Sequence, residues 1–234
     1  MNKESNSYTF FFTVVMIVIV ALGLSVTAIT LKPVQQHNKE LEKKVNILQS
    51  INLNPTFEEA DKEFNKYIVK TLLVKKDGSY TEGNGLDLNL KEELNKPDDQ
   101  RVLPLFIAQV NGKKYYIIPL YGKGLWGPIW GFISLEEDMN TVYGVSFGHK
   151  SETPGLGAKI VTEEFRNQFK GKKIFDENGN FTSILVEKNL KQLNEHQVDA
   201  ISGATATSKG VENMLESVLS HYINFIKQHK NDLA

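Results

Sequence analysis

The sequence predicts an α+β fold in which one N-terminal membrane-spanning helix precedes a domain of antiparallel strands flanked by helices. Three observations lead to this fold class. Residues 8–31 carry no charged side chain, five segments rich in β-branched and aromatic residues alternate with turn-forming residues, and the C-terminal region repeats apolar residues at helical spacing. A chain of 234 residues is long enough for one domain with a substantial core.

The uncharged run predicts a transmembrane helix over residues 8–31, after a short N-terminal tail of residues 1–7. As a helix the run would extend about 36 Å, enough to cross a bilayer core with some tilt. A cleaved signal peptide is the alternative, because residues 26–28 (Val-Thr-Ala) resemble a small-residue cleavage site. The apolar run continues past that point to Leu31, which favours the anchor.

Charge near the span leaves the membrane orientation open. Four lysines lie within residues 32–44, whereas Lys3 alone precedes the span. Taken by itself, this count places the domain inside the cell. Long C-terminal domains translocate regardless of nearby charge, so the count does not decide the question.

Residues 32–54 predict an amphipathic stalk helix. Leu41, Val45, Leu48 and Asn52 recur at helical spacing, with charged residues between them. The apolar face of this helix would pack either on its own domain or on a membrane helix of a partner. Asn54-Pro55 is expected to break the helix, so that the domain comprises residues 55–234.

The domain is expected to begin with a short helix and to alternate strands with turns. Thr56 and Glu59 form a capping-box pattern for a helix that continues to about Lys66. Strands are predicted over residues 67–74, 115–118, 132–135, 142–147 and 182–186. Turn-forming residues at 76–78 and 177–180 indicate antiparallel neighbours. Residues 82–100 are polar and are expected to form a loop.

Two further helices complete the prediction. One covers residues 160–169, and the other lies at the C-terminus. The C-terminal helix has an apolar face with i, i+3, i+4, i+7 spacing, formed by Val211, Met214, Leu215, Val218, Tyr222, Phe225 and Ile226. One side of that helix must therefore be buried.

Composition excludes several classes of function. The chain has 27 Lys and Arg against 28 Asp and Glu, so no basic face for nucleic acid is expected. It has no cysteine, which excludes thiolate nucleophiles, cysteine-bound iron-sulfur clusters and disulfides, so redox chemistry would need an organic cofactor. His149 and His196 lack a second ligand at metal-site spacing and are expected to form hydrogen bonds.

Three segments rich in small residues are the candidate functional sites. We call them the tryptophan segment (residues 122–131, GKGLWGPIWG), the proline loop (residues 152–157, ETPGLG) and the threonine segment (residues 199–208, DAISGATATS). All three are expected at junctions between elements. The threonine segment leads into the C-terminal helix, where free N–H groups and the helix dipole favour a phosphate. The alternative is that Thr207 or Ser208 simply caps the helix.

The other two segments suit a flat ligand. Glycines let the backbone of the proline loop approach such a ligand closely, with Glu152 and Thr153 at its edge. Trp126 and Trp130 place aromatic surface in the tryptophan segment, although core packing explains them nearly as well.

Together these motifs resemble the FMN-binding domain shared by the C-type subunit of the Na⁺-translocating NADH:quinone reductase and the G-type subunit of the Rnf electron-transport complex. The specific match is the threonine segment through Thr207. The tryptophan segment, the span and the stalk favour the NADH:quinone reductase branch.

The resemblance implies a flavoprotein with one FMN per chain, bound covalently to Thr207 through a phosphoester bond. A dedicated flavin transferase would install it from FAD with Mg²⁺. The remaining flavin contacts implied by the resemblance are Ser202, Gly203, Ala204, Thr205, Glu152, Thr153, Gly155, Leu156, Gly157 and Trp126.

The implied function is electron relay within a translocase. This chain would carry electrons between other membrane and flavin-bearing subunits, while the complex oxidises NADH, reduces ubiquinone and exports Na⁺. The resemblance also implies a single-pass protein of the cytoplasmic (inner) membrane with its domain on the outer, periplasmic side. Two alternatives remain at this point: a homologue of the G-type subunit in an Rnf complex, and a membrane-tethered module that binds another phosphorylated ligand.

Overall fold

The computed structural model describes residues 5–188 and 194–230. The described chain divides into two compact units, one up to Glu42 and the other from Lys43 onward. Residues 1–4 of the predicted N-terminal tail lie outside the described residues. The architecture is the predicted α+β class: a long apolar N-terminal helix, then an antiparallel sheet with helices.

A single helix, α1 (Asn6–Ser50), covers both the predicted membrane span and most of the predicted stalk. Pro33 lies inside it without ending it. The N-terminal part is long and apolar enough to cross a membrane, and side chains such as Phe10, Ile19 and Leu24 are more than half exposed. Exposed apolar side chains in this number are typical of a surface that faces lipid.

The helix α1 ends earlier than the sequence predicted, and the cause is Asn52 rather than Pro55. Asn52 adopts a left-handed conformation with φ of 60°. The N–H of Leu53 donates to the carbonyl of Leu48, and the N–H of Asn52 donates to the carbonyl of Gln49. These two bonds form a Schellman motif, which satisfies carbonyls that the end of a helix leaves free.

The C-terminal end of α1 packs within the second unit, on its own domain. Ile47, Leu48 and Ile51 are buried in a cluster with Phe106 and Phe132. The second unit therefore begins before the predicted domain boundary at residue 55, because these apolar residues contribute to its core. Of the two packing alternatives for the stalk, the structure shows packing on its own domain for this end.

A six-stranded antiparallel sheet forms the centre of the domain, in the order β2-β1-β3-β4-β5-β6. Its strands are β1 (Ile68–Lys75), β2 (Tyr80–Glu82), β3 (Val102–Val110), β4 (Lys113–Lys123), β5 (Pro128–Leu135) and β6 (Val142–His149). A separate parallel pair joins β7 (Leu185–Glu187) to β8 (Gln197–Asp199). The strands predicted near residues 67, 115, 132 and 142 are confirmed, while the one at 182–186 is reduced to β7 because Ser183 has φ of 58°.

The sequence missed β3, although it lies between β1 and β4. Pro104 explains the omission, since proline cannot donate to a strand ladder and argues against a central strand. The structure accommodates it because the pairing of β3 with β4 starts only at Phe106, so Pro104 pairs with Leu73 of β1 alone.

The short helices differ from prediction in three places. The helix α2 (Ala60–Tyr67) begins after Glu59, whose carboxylate accepts from the N–H and hydroxyl of Thr56 in the turn before it. The predicted loop at 82–100 contains α3 (Leu90–Leu94) and a 3₁₀ turn at Asp98–Gln100. The predicted helix at 160–169 is split by Thr162 into a 3₁₀ turn (Gly157–Val161) and α4 (Glu163–Asn167), which Thr162 caps.

The C-terminal helical region is confirmed. It consists of α5 (Thr205–Leu219), a 3₁₀ turn (Ser220–Tyr222) and α6 (Ile223–His229), and all seven predicted apolar positions are buried. The helix α5 lies against β4. A Cβ atom on Gly210 would come 2.5 Å from the carbonyl oxygen of Lys123, so this glycine permits the close approach of α5 to the end of β4.

Candidate functional site

The three segments singled out in the sequence meet at the N-terminal end of α5. The tryptophan segment is the tip of the β4–β5 hairpin together with the adjoining ends of both strands, so much of it lies within strands rather than at a junction. The proline loop follows β6, and the threonine segment connects β8 to α5. Topology therefore brings together residues that are far apart in sequence.

A hydrogen bond between Thr207 and Glu152 forms the centre of the site. The hydroxyl of Thr207 donates to Oε2 of Glu152 at 2.6 Å. Both side chains are buried, with Thr207 only 1 % and Glu152 only 4 % exposed. A hydrogen bond to a carboxylate in such surroundings is stronger than one between neutral groups.

The second oxygen of Glu152 contacts the tryptophan segment. Oε1 accepts from the backbone N–H of Trp126 at 2.9 Å. The backbone N–H of Glu152 in turn donates to Nδ1 of His149 at 3.2 Å. Both carboxylate oxygens and the main chain of Glu152 are thus held, which fixes the direction in which Oε2 points.

The start of α5 has no side-chain cap. Ala204 occupies the N-cap position, while Thr207 and Ser208 already lie within the helix. The Ser208 hydroxyl oxygen accepts instead from the N–H of Ile201 at 3.1 Å. The alternative in which Thr207 or Ser208 caps this helix is therefore wrong, and the N-cap residue Ala204 provides no side-chain acceptor for the first N–H groups of α5.

Gly157 permits the close contact between the proline loop and Thr207. A Cβ atom at Gly157 would lie 2.5 Å from Oγ1 of Thr207 and would also collide with the Glu152 carboxylate. Real Cβ atoms do not approach oxygen so closely, so the pair can form only beside a glycine.

The remaining predicted residues surround this pair at the surface. Trp126 and Leu156 are exposed large apolar side chains, at 65 % and 42 %. A Cβ atom on Gly203 would lie 2.9 Å from a methyl carbon of Leu156, so the proline loop and the threonine segment touch there. Ala204 is buried, and the other predicted residues are exposed: Ser202, Gly203, Thr205, Thr153 and Gly155.

Sequence reasoning found Thr207 and Glu152 but not their contact. The two residues are 55 positions apart, and nothing in the spacing of either segment indicates the other. Reasoning from sequence also missed Gly210. His149 and His196 form hydrogen bonds, as expected: His149 with Glu152, and His196 with Thr182 and the carbonyl of Lys173.

Comparison with known protein families matches residues 124–220 to the FMN-binding domain. These residues include the proline loop and the threonine segment, as well as most of the tryptophan segment. The matched region therefore contains the Thr207–Glu152 pair, two of the segments in full and most of the third.

Named relatives match over almost the whole chain. The C-type subunit of the Na⁺-translocating NADH-quinone reductase from Haemophilus ducreyi is 31 % identical over 230 residues, covering 91 % of this chain and 89 % of the relative. The protein of the same name from Pseudomonas aeruginosa is 28 % identical, covering 92 % and 91 %.

Solved structures share the fold of this chain. The crystal structure of the same subunit from Parabacteroides distasonis superposes with a TM-score of 0.78 at 43 % identity, covering 84 % of this chain and 96 % of that one. The crystal structure of NqrC from Shewanella oneidensis gives 0.70 at 29 % identity, covering 83 % and 99 %.

Proposed function

Because the chain belongs to the family of the C-type subunit, NqrC, of the Na⁺-translocating NADH-quinone reductase, we propose that it carries one FMN bound covalently to Thr207 and relays electrons within that complex. The observation that carries this proposal is the position of the Thr207 hydroxyl. It lies where the three glycine-containing segments meet, at the uncapped start of α5.

The residues present at this position fit an FMN phosphate. The helix α5 presents its first N–H groups with no side-chain acceptor at Ala204. The positive end of a helix dipole favours a phosphate. An ester on Thr207, in the first turn, would keep the phosphate beside these N–H groups.

The surface around Thr207 suits the apolar part of the cofactor. Trp126 and Leu156 expose large side chains from two different segments. The aromatic ring of Trp126 offers a face on which a flat ring can stack. We propose that these two side chains contact the flavin ring and limit the access of water to it.

When bound, FMN would supply reversible electron transfer, and the role of this chain's own residues is to hold and orient it. A phosphoester to α5 prevents dissociation between turnovers. Oxidation of NADH, reduction of quinone and export of Na⁺ are properties we assign to the assembled complex. Its other membrane and flavin-bearing subunits are then the electron donors and acceptors of this chain.

We further propose that α1 anchors the chain in the cytoplasmic membrane through residues 8–31, with the domain that begins at Lys43 on the outer side. The apolar, exposed surface of that part of α1 supports the anchor. A flavin transferase that acts on this domain must then work on the same side of the membrane.

Intact-mass measurement of the chain, expressed with its flavin transferase, tests the proposal. We expect a gain of one FMN less water, located in the peptide that contains Thr207, and fluorescence under ultraviolet light on a denaturing gel. Thr207→Ala should abolish both signals in a folded protein. The matched control is Thr205→Ala, which removes an exposed hydroxyl two residues earlier and should keep the flavin. A fluorescent Thr207→Ala protein would refute the attachment site, and an unmodified wild-type chain would refute covalent flavin altogether.

A further inference from the structure

The contact between Thr207 and Glu152 has the geometry of a nucleophile and its base. The Thr207 hydroxyl points its proton at Oε2 of Glu152 over 2.6 Å. That distance lies within the range required for proton transfer between a nucleophile and a general base. Both groups are buried, so water competes little for the proton.

The carboxylate of Glu152 is oriented before any reaction takes place. Oε1 is occupied by the N–H of Trp126, and the backbone N–H of Glu152 is bound to His149. Oε2 is therefore directed at Thr207. Within residues 5–188 and 194–230, no other carboxylate or imidazole accepts from the Thr207 hydroxyl.

A threonine hydroxyl is a weak nucleophile at neutral pH and needs a base to become reactive. The surface hydroxyls of Ser202 and Thr205 lie in the same segment, but the structure directs Thr207 toward a buried carboxylate. This contact offers a physical reason why one hydroxyl among several would be esterified.

We propose that Glu152 accepts the proton of the Thr207 hydroxyl during flavin attachment, so that the acceptor chain supplies a catalytic residue for its own modification. The proposal rests on the proposed function. Thr207 Oγ1 forms a new bond to the flavin-side phosphorus of a flavin adenine dinucleotide. The phosphoanhydride P–O bond breaks, its electron pair leaves with adenosine monophosphate, and the hydroxyl proton moves to Oε2 of Glu152. Nothing is oxidised or reduced.

The product state differs from the unmodified chain in a defined way. An ester oxygen at Thr207 has no hydrogen to donate, so the bond to Glu152 exists only before attachment. Oε2 of Glu152 must then bind another donor. This makes Glu152 a participant in attachment as well as a neighbour of the attached group.

The test compares attachment rates for purified chains supplied with the flavin transferase, FAD and Mg²⁺, followed by in-gel flavin fluorescence and intact mass. Glu152→Gln keeps the shape and can still accept from the Trp126 N–H, but it cannot take a proton. We expect attachment to slow by about 100-fold or more, the usual contribution of a general base. Glu152→Asp should fall between this variant and the wild type.

The matched control is Glu212→Gln. Glu212 is also a buried glutamate whose carboxylate accepts from a backbone N–H, that of Val186 at 2.9 Å. Its other carboxylate oxygen binds Lys209 rather than Thr207. The Glu212→Gln chain should take up flavin at nearly the wild-type rate, which separates the loss of a base from the loss of any buried carboxylate.

The two Glu152 variants distinguish a base from a merely structural contact. Attachment should be slow in Glu152→Gln, although this side chain can still accept from the Trp126 N–H, and should be partly restored in Glu152→Asp, which keeps a carboxylate. Equal rates for Glu152→Gln and the wild type would overturn the role of Glu152. If Glu152→Gln does not fold, Glu152→Asp decides the matter, because a rate equal to the wild type would contradict the requirement for a placed carboxylate. A wild-type chain that takes up no flavin would instead refute the proposed function.

Discussion

The hydroxyl of Tyr222 donates to the backbone carbonyl of Pro104 at 2.8 Å, across 118 positions of sequence. Tyr222 is fully buried, and it connects the 3₁₀ turn between α5 and α6 to β3. Pro104 pairs with β1 but not with β4, because the pairing of β3 with β4 begins at Phe106. The Tyr222 hydroxyl therefore provides a donor for the Pro104 carbonyl.

Tyr222→Phe should lower the free energy of unfolding by about 1–3 kcal/mol, because it leaves a buried carbonyl without its donor. Urea denaturation would measure the loss. Tyr80→Phe is the control, since Tyr80 is partly exposed and its ring contacts with Phe225 remain. Equal stability of the two variants would contradict a role for the Tyr222 hydroxyl, and flavin attachment should be unaffected in both.

His221 should make the domain less stable in mild acid. Burial lowers the pKa of His221 below its usual 6.5, and nearby Lys76 and Arg101 act in the same direction. The unfolded chain therefore binds a proton at a higher pH than the folded chain does. Its contribution to stability is complete above about pH 6.5 and is lost as the pH falls toward the lowered pKa.

The check is the unfolding free energy of wild type and His221→Gln between pH 5 and 8. Glutamine can still donate to the carbonyl of Val74, which the His221 ring contacts at 3.1 Å, but it does not titrate. The wild type should lose more stability on acidification than the variant. Parallel pH curves would show that His221 has an ordinary pKa in the folded chain.

The boundary of the soluble domain should lie at Lys43 rather than at residue 55. A chain of residues 43–234 keeps Ile47, Leu48 and Ile51 in their buried cluster. A chain of residues 55–234 loses all three and exposes Phe106 and Phe132, at a cost of about 2–5 kcal/mol for each large residue removed. Gel filtration and circular dichroism should show a folded monomer for the longer chain and aggregation for the shorter. A cooperative, monomeric 55–234 would contradict this packing.

The absence of cysteine allows a direct test of membrane orientation. A single Glu177→Cys places a thiol on an exposed loop of the domain, and Ser7→Cys places one before the span. On spheroplasts, a membrane-impermeant maleimide should label the Glu177→Cys chain. The Ser7→Cys chain should be labelled only after the membrane has been permeabilised. The reverse pattern would place the domain in the cytoplasm.

Features that depend on neighbouring residues could be predicted from the sequence, whereas features that depend on contacts between distant residues could not. The spacing of Val211, Met214 and Val218 predicted the C-terminal helix, because its period depends on neighbours within one helix. The β3 strand was not predicted because it contains Pro104, which has no N–H to donate to a neighbouring strand. The structure tolerates this proline because only β1 pairs with it. The end of α1 at Ser50 depends on the left-handed conformation of Asn52, which pattern matching does not detect.

The same distinction between local features and long-range contacts holds for the candidate site. The small residues around Thr207 marked the start of α5 as unusual, and glycines marked the proline loop. The pairing of Thr207 with Glu152 depends on how β6, the β4–β5 hairpin and α5 are placed by the fold. No spacing within either segment contains that information.

The uncapped start of α5 at Ala204 links attachment of the cofactor to the rate at which the protein is degraded in the cell. A helix that begins on alanine lacks about 1 kcal/mol that a serine or aspartate cap would contribute, and a phosphate held against its first turn would contribute a favourable dipole interaction of about 0.3–2 kcal/mol. Copies that received the cofactor would then open less often than copies that did not. Since proteases degrade the opened form, ordinary protein turnover would remove the unmodified copies first and enrich the membrane in mature ones.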